Sequence, residues 1–262
     1  MNQLQLQLHS DIIGIIFEYL NTYDLITASS VCTYWRQSFM KNQWKYKIDF
    51  SRIGENIHNV HLKIFKDVQD INFWKCKNIT GAGLSLLTNI RSIDLTYCPQ
   101  ICDDDLAHFS KAHTINLFEC SNITDKGLAH LSNVHTITLN SQNITDNGLE
   151  YIKNAYDVDL IRCTQITGKG LAKLSNCRIF HISYLDNLID DDLIHLQNAE
   201  YVSFHSCPNI TNNGLIHLKN VKKIYLNYCD KITEECMKNS SNNHKIKVWP
   251  IGLVEFPNAG PV

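Results

Sequence analysis

One pattern recurs eight times between about residues 70 and 248, and a fixed internal period narrows the possible folds to repeat architectures before any other feature is weighed. Its clearest landmark is an aliphatic residue just before a short polar turn: Ile79, Ile101, Ile123, Ile144, Ile166, Leu188, Ile210 and Ile232. The step is 22 residues throughout except for one of 21, from Ile123 to Ile144. Five residues further on stand Leu84, Leu106, Leu128, Leu149, Leu171, Leu193, Leu215 and Met237, so each unit holds two apolar anchors in constant phase.

Upstream of each landmark lies an alternating pair: Ile71/Phe73, Ile93/Leu95, Ile115/Leu117, Ile137/Leu139, Val158/Leu160, Phe180/Ile182, Val202/Phe204 and Ile224/Leu226. A period of two over three residues predicts one short strand with a single buried face. Three residues after the pair stands a cysteine in six units: Cys76, Cys98, Cys120, Cys163, Cys207 and Cys229. Leu185 takes that place once, and the 21-residue unit around Ser141 and Gln142 lacks it. After the turn, Thr80, Thr124, Thr145, Thr167, Thr211 and Thr233 stand where a helix N-cap is wanted, and a Leu-x-x-Leu such as Leu128/Leu131 supplies helical spacing. Each unit is therefore predicted as strand, turn, short helix, turn.

The stretch Ile115-Asn116-Leu117-Phe118-Glu119-Cys120-Ser121-Asn122-Ile123-Thr124-Asp125-Lys126-Gly127-Leu128 resembles the Cys-containing subclass of leucine-rich repeats. The resemblance covers roughly two-thirds of the chain. It implies an α/β, right-handed solenoid with parallel strands on the concave face and short helices on the convex face. These units are shorter than is common in that family, so helices of two turns or fewer are expected.

With 262 residues the chain can bury a sizeable core, and 24 Lys+Arg against 26 Asp+Glu argue against a nucleic-acid footprint over the whole surface. No apolar run approaches the ~18 residues a membrane span needs. The N-terminus shows no basic region followed by an apolar core, so a secretory leader is not expected. Six of the ten cysteines recur at one position of the unit and read as reduced, inward-facing small hydrophobes of a cytoplasmic or nuclear protein.

Residues 4–42 stand outside the repeat. Ile12, Ile13, Ile15, Ile16 and Leu20 fill both sides of a helix capped by Ser10 or Asp11, more apolar surface than so small a piece can hide by itself. A second helix is expected to begin near Asn21 to Asp24, and a third to span about Ser30 to Phe39. As a bare structural device these would be the cap that an open repeat array needs. The order Leu8-His9-Ser10-Asp11-Ile12-Ile13, Ile16-Phe17-Glu18-Tyr19-Leu20, Asp24-Leu25 and Val31-Cys32-Thr33-Tyr34-Trp35-Arg36 resembles an F-box, with His9 where that family has proline and Asp11 where it has glutamate. The resemblance implies a small N-terminal all-α F-box domain that binds the Skp adaptor through Leu8, Ile12, Ile16, Leu20, Leu25, Val31 and Trp35.

The expected layout is an F-box over residues 1–43, a junction with an incomplete first repeat over 44–69, about eight repeats of 22 residues over 70–250, and a C-terminal tail or cap over 251–262. In the junction, Ile48 and Phe50 imitate the strand pair, while Leu62, Phe65 and Val68 imitate the helix and its exit. No Pro/Gly/Ser-rich linker intervenes, so the two modules should be rigidly joined. Ile246 and Val248, 22 residues beyond Ile224 and Leu226, predict one more strand.

Several spellings suggest chemistry that the repeat explains more simply. The N-x-T sequons at Asn78, Asn122, Asn143 and Asn209 are repeat turns. Cys98 and Cys102 have zinc-like spacing but no second pair, and His108, His130, His195 and His217 fall on a solvated helix face. Gly168-Lys169-Gly170 lacks the preceding glycine of a phosphate loop. No nucleophile, base and orienting residue assembles from the spacing, so the chain is expected to be no enzyme and to need no cofactor or metal.

Binding is what the pattern leaves. Strand residues between and just after the paired anchors should face outward on the concave sheet, and exposed aromatics there have no core role. Trp74, Phe118, Ile161, His181, Tyr201, His205 and Tyr225 are the candidate target-binding set. Both resemblances together imply a substrate-recognition adaptor of a Skp-cullin-F-box ubiquitin ligase, partnered by the Skp adaptor, through it a cullin, and a target protein, with neither nucleic acid nor membrane. The alternative is a scaffold or sequestering protein that binds partners without ubiquitination.

Overall fold

The computed structural model describes residues 12–17, 19–42 and 45–233, and the backbone of residues 246–248. Leu8, the Ser10/Asp11 cap, Trp44, Met237 and the C-terminal tail lie outside the described residues. Ten strands among the described residues form one parallel sheet in sequence order: β1 Lys47–Asp49, β2 Asp70–Asn72, β3 Ser92–Asp94, β4 Thr114–Leu117, β5 Thr136–Leu139, β6 Asp157–Ile161, β7 Ile179–Ser183, β8 Tyr201–His205, β9 Lys223–Asn227 and β10 Ile246–Val248. The strand pairs stand in one register, from Ile71 opposite Ile93 to Val202 opposite Ile224, and Ile246 and Val248 pair with Ile224 and Leu226. Between strands the chain crosses back through single α or 3-10 turns of three to seven residues.

Anchors from strand, turn and helix of every unit meet in one continuous buried core. Each fully buried Leu, Ile or Phe there contributes about 1.5–3 kcal/mol relative to exposure. No single unit could close such a core alone, which is why the repeats must stack.

The cysteine column needs a backbone device that alternation does not supply. With Phe73 inward and Trp74 outward, Lys75 should point in and Cys76 out. Instead Lys75, Tyr97, Glu119, Arg162, Tyr184, Ser206 and Tyr228 adopt φ of 51–59°, the left-handed region. Each turns its own side chain out and drops the next residue into the core. The amide of the kinked residue still pairs, as Lys75 N–H donates to Thr96 O, Tyr97 N–H to Phe118 O and Ser206 N–H to Asn227 O, each at 2.9 Å. The 21-residue unit reaches the same end by omission: it lacks the kinked residue, so plain alternation turns Ser141 inward, where its hydroxyl donates to Ile123 O at 2.9 Å.

All six repeat cysteines are buried, and so is Cys177. Cys98 and Cys120 donate their thiols to Phe73 O and Leu95 O at 3.2 and 3.1 Å. Burial pushes the Cys98 and Cys163 thiols up to about 11 and that of Cys207 to about 12, so they are neutral thiols.

The turns stack through two polar ladders. Sequon asparagines donate to carbonyls one unit back: Asn78 to Glu55, Asn122 to Pro99, Asn143 to Ser121 and Asn209 to Asp186, at 2.6–2.8 Å. In the second ladder an aspartate just after the turn takes both the N–H and the hydroxyl of the next unit's threonine: Asp103 from Thr124, Asp125 from Thr145, Asp146 from Thr167 and Asp190 from Thr211. Thr124, Thr145, Thr167 and Thr211 also accept at their helix starts, as the N-cap reading expects. Thr80 makes no such cap bond. Where the unit has Gly81 or Gly168 in place of aspartate, the next unit has no threonine. There Asp105 and Asp192 fold back onto the N–H of Cys102 and Ile189 at 2.9 and 3.0 Å.

At the N-terminal end, α1 (residues 12–17), α2 (Thr22–Ser30) and α3 (Thr33–Asn42) cover the first strand. Asn21 caps α2, its side chain accepting from Asp24 N–H at 3.0 Å. Asp49 N–H of edge strand β1 donates to Thr22 Oγ1 at 2.7 Å, which satisfies an edge amide. A chain of ring contacts, Phe17 to Phe39, Phe39 to Phe65, Phe65 to Phe50 and Phe50 to Phe73, runs from α1 to β2 at centroid separations of 5.4–6.4 Å. The two modules share one core.

Candidate functional site

Two surfaces concentrate side chains without a structural task. The first is on the N-terminal helices. Helix α1 is apolar on both sides: Ile13 and Phe17 pack inward, while Ile12, Ile15 and Ile16 are 50, 55 and 43% exposed. Tyr19 and Val31, exposed as well, extend this apolar set. Of the residues expected to bind the adaptor, Ile12, Ile16 and Val31 are exposed, and Leu20 and Trp35 are half-buried, Trp35 against Phe17 at 5.7 Å. Leu25 is a correction: it is 2% exposed, because the inward face of α2 packs into the domain core, so it is removed from the docking set. Ile15 and Tyr19, absent from the expected set, are exposed.

The second surface is the concave face of the sheet. Trp74, Phe118, Ile161, His181, Tyr201, His205 and Tyr225 all stand there half-buried. Trp74 and Phe118 flank Tyr97 at 6.3 and 5.6 Å, and Tyr184 and Tyr228 flank His205 at 5.0 and 5.2 Å. Tyr97, Tyr184 and Tyr228 escape sequence reasoning because alternation assigns them inward and the left-handed kink turns them out. The available signal was the core-type residue three positions after the strand pair, cysteine in six units and Leu185 in one, where alternation alone would turn it outward.

On β6 to β8, beside the second of these groups, lies a polar centre. His181 Nδ1 is 3.0 Å from Ser203 Oγ, His181 Nε2 is 4.0 Å from Asp157, and Tyr201 and Tyr225 lie beside them with ring centroids 5.1 Å apart. Serine, histidine and aspartate thus meet although sequence spacing shows no such set. Parallel strands one unit apart bring them together. The arrangement is weak for acyl chemistry. At 4.0 Å the carboxylate does not hydrogen-bond the imidazole, and the neighbouring backbone amides belong to the β-ladder rather than to an oxyanion site. Burial holds His181 below its ordinary value, against the pull of Asp157.

Asp157 and Asp159 are alternate residues of β6 on the same face. Asp94 in the column of Asp159 accepts Thr96 N–H at 2.8 Å, whereas Asp159 accepts no hydrogen bond from the described residues. Burial, reinforced by Asp157, pushes its carboxyl up to about 7. Among the described residues there is no group of three metal-ligating side chains and no helix long and apolar enough to cross a membrane.

Residues 6–47 match the F-box domain family. No curated protein matches the sequence. Among solved structures the chain is similar to the TLR13–ssRNA13 complex, with TM-score 0.59 and 13% identity over 80% of this chain and 33% of that one. It is also similar to the mouse RP105/MD-1 complex, with TM-score 0.52 and 13% identity over 78% of this chain and 41% of that one. A chain of the yeast Rad7 and Elc1 complex aligns with TM-score 0.44 and 12% identity, over 92% of this chain and 93% of that one. The chain spans less than half the length of the first two, and at such identities they speak for the fold alone. The chain carries an F-box domain at residues 6–47 and continues as a leucine-rich-repeat solenoid.

Proposed function

We propose that this chain is a non-catalytic substrate-recognition subunit of a Skp-cullin-F-box ubiquitin ligase. The observation that carries this reading is the apolar surface left open on the matched F-box domain: Ile12, Ile15, Ile16, Tyr19 and Val31. Monomeric soluble proteins seldom leave so many large apolar side chains uncovered on one small domain unless a partner takes them. In this reading the Skp adaptor covers that set, a cullin follows through the adaptor, and the concave face holds the target, with Trp74, Phe118, Ile161, His181, Tyr201, His205 and Tyr225 among its contacts. The ring contacts from Phe17 to Phe73 make the two faces one rigid body, which supports delivery of a bound target at a fixed distance from the transferring enzyme. Tethering of this kind raises the effective concentration of the target into the mM range.

The test is affinity purification of the tagged full chain followed by mass spectrometry. Co-purification of the Skp adaptor and a cullin is the expected result. Recovery of the adaptor without a cullin would point to sequestration, and recovery of neither would overturn the reading.

A further inference from the structure

From β2 to β8 the concave face is one-sided in charge. The outward strand residues from β2 to β8 include Asp70, Asp94, Asp157 and Asp159 and, among the described residues, neither Lys nor Arg, although basic and acidic residues nearly balance over the whole chain. Cations do stand on the flanking strands, Lys47 on β1 and Lys223 on β9 opposite Tyr201, and others on the rims are engaged. Lys75 Nζ lies 3.9 Å over the Trp74 ring, Arg162 lies 3.8 Å from Glu119 and 5.0 Å over Tyr184, and Arg178 donates to Asn198 O at 2.7 Å. Among the described residues no Lys or Arg pairs with Asp157 or Asp159.

A desolvated carboxylate without a partner is unfavourable unless a counter-charge arrives. Asp159 approaches that case, half-buried and accepting no hydrogen bond from the described residues. Asp157, two residues away on the same face, has only a 4.0 Å approach to a largely neutral imidazole. Beside them Tyr201 and Tyr225 present adjacent ring faces, which attract a cation and cover the apolar stem of a long basic side chain. Lys75 over Trp74 shows the same pairing already made within the chain.

We propose that the concave face docks a basic linear segment of the target protein, seating an arginine or lysine side chain over Asp157 and Asp159 with its stem against Tyr201 and Tyr225. This rests on the concave face being the target surface.

The probe is a random-peptide display library selected on the purified full chain, with binders then measured against wild type and the isosteric Asp157→Asn/Asp159→Asn double variant. Selected peptides should be enriched in Arg or Lys, should lose about tenfold or more in affinity for the double variant, and should weaken as salt is raised. Asp104→Asn, on the convex side, should leave their binding unchanged. The double variant should fold, because it removes two mutually repelling carboxylates, and its thermal transition should stand at or above that of wild type. Enrichment of acidic or uncharged peptides, basic peptides that bind both proteins equally, or no binders at all would overturn the proposal. Skp-adaptor binding, measured on the same samples, is independent of these outcomes and reports separately on the F-box reading.

Discussion

Asp159 lies between Thr138 and His181 of the neighbouring strands, and no donor among the described residues satisfies its carboxyl. Its folded-state value, up to about 7 from an ordinary 3.8, means that the native state keeps a proton the unfolded chain has already released. Stability should therefore fall as pH rises from about 4 to about 7, with the penalty fully present above that window. Asp159→Asn removes the penalty. Urea titrations should show the variant more stable than wild type by about 1–3 kcal/mol at pH ~8 and equal to it at pH ~4. Equal stabilities at the higher pH would mean that the carboxylate finds a counter-charge within the chain. The same column shows where sequence reading stops. That Asp159 faces outward follows from alternation, but the loss of its hydrogen bonds does not. It comes from β6 running straight on to Ile161, whereas Asp94, three strands away in the same column, bends back to cap the amide of Thr96.

The helical turns show a different limit. Their existence and phase follow from the Leu-x-x-Leu spacing, but four to seven residues cannot hold a helix by propensity alone, so the ladders between units must fix them. Asp146 accepts both the N–H and the hydroxyl of Thr167 at 2.7 Å, and charge-assisted bonds of this kind contribute about 1.5–3 kcal/mol. Asp146→Ala should lower stability by roughly 2 kcal/mol in a denaturant titration. Gly168 belongs to the other arrangement. A Cβ there would stand 1.9 Å from Asp192 Oδ1, so Gly168→Ala must push Asp192 off the amide of Ile189 that it caps. A cost of about 2–3 kcal/mol is expected, and part of it should vanish in an Asp192→Ala background, where the carboxylate is gone but the Cβ of residue 192, 2.9 Å away, remains. An undiminished cost would place the strain at that Cβ or in the backbone of Gly168 rather than at the carboxylate. The Asp-x-Gly spelling is legible in the sequence. Its cause, an acid from the adjacent unit seated against the glycine, becomes visible only when the units are stacked.

The architecture as a whole was the most legible property, since eight units in constant phase permit few arrangements, and the register of β10 against β9 follows from the same count. The concave aromatic set was legible in part. Trp74, Phe118 and Tyr225 obey alternation, whereas Tyr97, Tyr184 and Tyr228 reach the surface through a kink that a period of two cannot show. Leu25 marks the opposite error, an apolar residue assigned to a partner that the small domain needs for its own core. These differences sharpen the division of labour across the molecule. In the proposed reading the open face of α1, with Val31, takes the adaptor and the polar centre around Asp157 the target, with a shared aromatic core joining them. The most direct test is titration calorimetry of the purified chain with the Skp adaptor, comparing wild type, Ile16→Asp/Val31→Asp and Asp157→Asn/Asp159→Asn. Ile16 and Val31 are exposed, so their substitution should leave folding intact while adaptor binding is lost, and the concave variant should bind the adaptor as wild type does. Full adaptor affinity in the Ile16→Asp/Val31→Asp chain would contradict the assignment of the F-box face.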